Sequence, residues 1–372
     1  DEIYNGTFRT KGMDALQSLK NTNQYTVLNY DRQSRSTTID LYDFATLKKV
    51  STLINTKSFA ALANGIDSYT FDASEKLILI ACNTNQIFRH SFTADYYLYN
   101  IATKELKKPF DFQVQEPTLS PDGKKIAYAK GNNLFVYDVA SDKTSAITTD
   151  GLKNSIINGI TDWVYEEEFA FVRAFDWSAD SKKVAYIRFD ESKVPEFSMS
   201  MFKKDLYPTI ETFKYPKAGE NNSVVSLHIY DLNANAVKNI NLGNYNDFYI
   251  ARMEWTNDAN ILSAQVLNRH QNNLDLLFIN GETGVVKVVL NEKDKAYVDV
   301  TDNLTFLKDN SFIWTSEKDG FNHIYLYDKN GKLKNQVTKG KWEVTSYYGL
   351  DEKSNTVFYQ SVENGSINRD VY

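Results

Sequence analysis

Three adjacent carboxylates, Glu166, Glu167 and Glu168, sit beside Trp163, Tyr165, Phe169 and Phe171 rather than beside lysines. An acidic run is commonly a solvated face. The aromatic neighbours oppose that reading, because a segment so rich in rings cannot lie wholly in water without exposing a large apolar area. Some of these carboxylates are therefore expected to be partly desolvated, where they would attract a cation strongly. The chemistry on offer is recognition of a positive charge.

Other signatures of chemistry are missing from the sequence. It holds no G-x-S-x-G nucleophile elbow and no glycine-rich phosphate loop. The four histidines, His90, His228, His270 and His323, do not fall at metal-ligand spacing and read as structural. No cofactor is expected, and the chain taken alone is expected to be hydrolytically inactive.

The elements that must position the glutamates follow from an internal repeat. Similar strand endings recur as D-L-Y-D (40–43), Y-L-Y-N (97–100), F-V-Y-D (135–138), H-I-Y-D (228–231), L-F-I-N (277–280) and Y-L-Y-D (325–328). Polar turns recur between them, at S-P-D-G-K-K from Ser120, S-A-D-S-K-K from Ser178, T-N-D-A-N from Thr256, L-K-D-N-S from Leu307 and L-D-E-K-S from Leu350. Asp, Asn, Gly and Ser suit such turns because they tolerate the dihedrals and bond to nearby backbone. Four strands per unit, repeated, predict an all-β chain, a β-propeller of four-stranded blades. Seven units are visible, the last incomplete from near Trp342 onward. An unfinished blade leaves open sheet edges, so the chain is expected to be a truncated propeller over 1–372.

Two insertions break the repeat. Residues 151–169 join the third and fourth units, carry the glutamates and are expected to form one or two helical turns. Residues 189–224 interrupt the fourth unit and hold three of the six prolines, with Phe197, Phe202, Tyr207, Phe213 and Tyr215. So aromatic an irregular segment needs something to cover it. It is either an arm that pairs subunits or a loop folded back on its own blade.

Length alone is compatible with two or three domains or one long all-β unit. The 24 tyrosines and 22 phenylalanines favour strands. A net charge of -6 without a Lys/Arg stripe argues against a nucleic-acid partner. No apolar run is long enough to span a bilayer; the clearest, 77–82, reads as a buried strand containing the single cysteine, Cys82. The first residue is Asp1, consistent with a processing site or a trimmed start. One cysteine permits no intrachain disulfide, which favours a reducing compartment without excluding a bacterial periplasm.

Four ordered stretches resemble the dipeptidyl peptidase IV family of serine exopeptidases: F-R-H-S-F-T-A-D-Y (88–96), N-G-I-T-D-W-V-Y-E-E-E (158–168), Y-P-K-A-G (215–219) and T-K-G-K-W-E-V (338–344). The resemblance implies an eight-bladed propeller followed by an α/β-hydrolase domain that supplies the serine, histidine and aspartate. It implies an exported bacterial enzyme, periplasmic or at the cell surface, that removes X-Pro or X-Ala dipeptides from peptides with a free N-terminus. It further implies a homodimer paired through 189–224. On the same basis Glu167 and Glu168 would clamp the substrate α-ammonium and Arg89 the carbonyl of the penultimate residue.

Geometry agrees with those roles. An extended residue spans at most about 3.3 to 3.6 Å, so a fixed ammonium presents only the second peptide bond to a nucleophile two residues away. Successive residues of a short helix point about 100° apart, so three glutamates cannot converge on one cation. Glu166 is expected to make a structural ion pair instead. Arg89 has an alternative of its own, an ion pair with a neighbour such as Asp95. Where the family has an arginine-phenylalanine pair lining its second pocket, this chain reads A-Y-V-D-V-T over 296–301, leaving Tyr297 or Val300 as candidate lining residues. Competing readings are the propeller of a prolyl tripeptidyl peptidase or endopeptidase, or a non-catalytic homologue acting as an interaction module.

Overall fold

The computed structural model describes residues 2–8 and 15–372. Among the described residues the strands form seven antiparallel sheets in succession, over 16–55, 68–107, 115–146, 156–240, 248–293, 305–336 and 344–371, plus one separate hairpin. These are the expected blades of a β-propeller. The seventh has three strands, its last being Asp370–Val371.

The repeated Asp or Asn has a physical cause. Each ends a third strand and turns the chain by accepting a hydrogen bond from a backbone N–H two or three residues on. Asp43 takes Thr46, Asn100 takes Ala102, Asp138 takes Ser141, Asp231 takes Asn233, Asn280 takes Glu282 and Asp328 takes Asn330. The first turns use the same device, with Asp122 accepting from Lys124 and Asp180 from Lys182. A short polar side chain can thus replace a backbone acceptor where the strand must stop.

The fold divides into two compact units. The first comprises residues up to 87 together with 92–126 and 137–143; the second comprises 88–91, 127–136 and 144–372. In the first, Ile39, Ile54, Leu62, Ile78, Ile80, Cys82 and Tyr99 form one apolar cluster. Cys82 is buried there, on strand Leu77–Gln86, which contains the expected strand 77–82 and runs four residues beyond it. Burial, with Asp67 and Asp95 nearby, pushes its thiol up to about 12, so it is an inert core residue. In the second unit a large cluster runs from Ala129 to Tyr327 and takes in Tyr165, Phe169 and Phe189 around the glutamate segment.

Both insertions belong to the fourth blade. Residues 156–158 of the first are already sheet, pairing antiparallel with Arg188 to Asp190, and only Trp163–Glu168 is helical. The second leaves strand Lys183–Asp190 and returns at Val224–Asp231. Between them Glu196–Met201 and Thr209–Lys214 pair as a two-stranded arm. Its tip exposes Phe202, Leu206, Tyr207 and Ile210.

Close packing of the fifth and sixth blades produces a sharp requirement at Gly331. It has φ +85°, and an added Cβ would lie 1.8 Å from the Val289 carbonyl oxygen. Gly320 also has positive φ, yet a Cβ there would meet nothing within 4 Å. Gly331→Ala is expected to lose about 2–4 kcal/mol from combined backbone strain and overpacking, against about 1–2 kcal/mol for Gly320→Ala. Urea denaturation of the two variants checks the difference.

Candidate functional site

The glutamate helix is short, and its orientation comes from anchors at both ends. Asp162 caps it, accepting from Tyr165 N at 3.0 Å, while Ser223 Oγ donates to the other carboxylate oxygen. Tyr165 is fully buried against Phe169, Phe189 and Tyr249, and its hydroxyl accepts from Ile250 N at 3.0 Å. With Tyr165 fixed inward, the next three residues fan out.

Glu166 turns into the protein and is 1% exposed. Its Oε1 accepts from the backbone N–H groups of His90 and Ser91, at 2.7 and 2.8 Å. The expected ion pair is therefore corrected: the partners are two amides, which satisfy a buried carboxylate without a cation. This bond ties the tip 88–91 to the glutamate helix, within the second unit.

Glu167 comes next, its side chain 18% exposed, and receives Arg89 Nε at 2.8 Å on Oε2 and 3.2 Å on Oε1. Arg89 thus pairs with a motif glutamate. The alternative partner Asp95 is held instead by Lys108 at 3.5 Å and by Asn83. With the Arg89 side chain 69% exposed, the pair adds about 1 kcal/mol of stability at most; its consequence is geometric. Glu168 is exposed and makes no ion pair among the described residues.

The two candidate pocket residues separate. Tyr297 is half-exposed, and burial followed by Asp299 and then the charge of Glu168 raises its hydroxyl pKa. Val300 is partly buried and packs against the main apolar cluster.

Two of the histidines have clear structural roles. His228 stacks on Tyr186 and bonds to Ser226, and burial with nearby Arg188 lowers its pKa to about 4. His323 is fully buried between Thr338 Oγ1 and the Gly340 carbonyl.

Residues 72–372 match the family model described as the dipeptidyl peptidase IV (DPP IV) N-terminal region. The chain belongs to that family. A dipeptidyl aminopeptidase B of Saccharomyces cerevisiae is 30% identical over 345 residues, covering 87% of this chain and 42% of that protein. A dipeptidyl peptidase 4 of Trichophyton equinum is 28% identical over 346 residues, covering 88% and 44%. The crystal structure of Porphyromonas gingivalis dipeptidyl peptidase 4 is similar at a TM-score of 0.93 and 39% identity, over 100% of this chain and 53% of that one. The chain thus corresponds to the N-terminal propeller of dipeptidyl peptidases and spans about half the length of these relatives. No helix among the described residues is long and apolar enough to cross a membrane.

Beneath the DPP IV-type helix lies a carboxylate that sequence reasoning missed. Glu191, 6% exposed, sits close enough to Asp162 for the two charges to interact, with Lys214 as the opposing cation. Burial first, then Asp162, pushes Glu191 up to about 7 from an ordinary 4.5. An acid that holds its proton more tightly when folded takes up a proton on folding between those values, so stability falls as pH rises from 4.5 to 7. Glu191→Gln should remove that loss, gaining on the order of 2–3 kcal/mol over the native chain at pH 8 and little at pH 4.5. Denaturant titrations at the two pH values test this; equal gains at both would refute it.

Proposed function

We propose that this chain is the substrate-recognition half of a serine dipeptidyl peptidase that releases X-Pro or X-Ala dipeptides. In this reading it acts with an α/β-hydrolase domain, in an exported bacterial enzyme of the periplasm or cell surface. Glu167 and Glu168 bind the α-ammonium of the peptide. Arg89 fixes Glu167 and turns its remaining donors toward the penultimate carbonyl.

One observation carries this reading: an exposed Glu168 that makes no ion pair among the described residues, next to a Glu167 already oriented by Arg89. The three charges sum to -1, so an incoming ammonium completes the site. At about 4 Å each contact is worth on the order of 1 kcal/mol in water and about 4 kcal/mol at an effective dielectric of 20. Two contacts of that size can dominate recognition of a small peptide. They also act as a ruler, since fixing the ammonium fixes which peptide bond lies two extended residues away.

The reading requires the substrate amine to be charged, and a free α-amine titrates at about 7.7–8.0. Affinity should therefore decline as pH rises through that range. In the enzyme containing this chain, Glu167→Gln and Glu168→Gln should each lower kcat/KM for Gly-Pro anilides by about 30- to 1000-fold, corresponding to about 2–4 kcal/mol. N-acetylated substrates should suffer similarly. Equal cleavage of free and acetylated substrates would rule the assignment out.

The same reading makes the arm a pairing device. Leu206 and Tyr207 at its tip are 93% and 85% exposed, more apolar surface than a solvated loop needs. Leu206→Asp with Tyr207→Asp should convert a dimer into a monomer in sedimentation experiments. A dimer that persists in this double variant would assign pairing to another surface.

A further inference from the structure

The base of the arm differs from its tip. Phe213 and Tyr215 stand two residues apart and so project from one side of an extended segment. The Phe213 ring lies 5.5 Å from Phe88, the residue before Arg89. The Tyr215 ring lies 4.3 Å from Trp163, the first residue of the glutamate helix. Phe197, opposite Phe213 in the hairpin register, touches both rings, at 6.2 and 5.4 Å. Past the arm, Ser223 bonds to the helix cap Asp162.

One side of one segment therefore meets both parts of the site, the tip carrying Arg89 and the helix carrying Glu167 and Glu168. The Arg89–Glu167 pair is too exposed to fix its own geometry. Glu166 anchors the tip through the backbone of residues 90 and 91, Phe88 N donates to Ser91 Oγ within the tip, and the Phe88 ring meets the arm. The tilted aromatic contacts add a hold between the arm and both parts of the site, being directional as well as apolar.

We propose that Phe213 and Tyr215 are positioning residues, through which the base of the arm holds Arg89 and the glutamate helix at the separation that receives a peptide ammonium. This rests on the ammonium-binding role proposed above. It extends that role to two aromatic residues that act through Phe88 and Trp163.

The test uses the double variant Phe213→Ala, Tyr215→Ala, with Lys204→Ala in the exposed turn of the arm as control. In a structure of the double variant, the Arg89 Nε to Glu167 contact of 2.8 Å should be lost, while Lys204→Ala keeps it. In the enzyme, KM for Gly-Pro anilides should rise about fivefold or more with kcat changed less than twofold, and Tyr215→Phe on its own should restore native KM relative to Tyr215→Ala. Survival of the Arg89–Glu167 contact in the double variant overturns the proposal. Loss of the contact with KM unchanged supports positioning but counts against the ammonium-binding role itself, so the two ideas fail separately. If the double variant does not fold, Phe213→Leu is measured in its place. It keeps bulk but removes the ring, and survival of the Arg89–Glu167 contact in its structure overturns the proposal equally.

Discussion

A carboxylate that is 1% exposed and not paired with a cation has to be satisfied by other donors, and Glu166 is satisfied by two backbone amides of a distant loop. Leaving such a charge uncompensated would cost several kcal/mol. The Arg89 tip is therefore bound to the glutamate helix as firmly as Glu166 is buried. The placing of Arg89 beside the helix starts from that tie. The residues that follow Arg89 are fixed by it, and the helical fan that turns Glu166 inward leaves Glu168 to solvent. The helix is held in turn by Tyr165, whose hydroxyl reaches Ile250 in the next blade.

Most of the fold was legible in the sequence. The six Asp or Asn residues closing the third strands mark positions where backbone geometry demands a local acceptor, and that demand repeats through the first six blades. Less legible was the start of the first insertion, where Ile156 and Ile157 pair with the far end of strand Lys183–Asp190. A three-residue strand carries no periodicity of its own, and its partner lies some thirty residues on, so only tertiary structure assigns it. The arm was readable as an aromatic segment needing a cover. The sequence did not distinguish its base, packed on Phe88 and Trp163, from its exposed tip.

The site itself was partly legible. Arg89 and Glu167 stand 78 positions apart and are brought within 2.8 Å. Glu166 was recognised as structural, but its partners were misassigned, because backbone donors leave no trace in residue types. Glu191 and Ser223 were missed for a related reason. They flank the arm, far in sequence from Asp162, and neither belongs to a motif. The pairing of Tyr297 with Val300 as pocket candidates treated the two alike, whereas Tyr297 is half-exposed and Val300 packs against the apolar cluster.

The two amides that hold Glu166 have a consequence for how this loop can change. The imidazole of His90 takes no part in the bond, so substitution at that position is compatible with the anchorage as long as an N–H remains. Proline is excluded, since it has none to give. A deletion or insertion of one residue between Phe88 and Ser91 is a different matter, because it would swing a different pair of amides toward Glu166 and carry the arginine out of register. Spacing, rather than side-chain identity, is what this loop has to preserve.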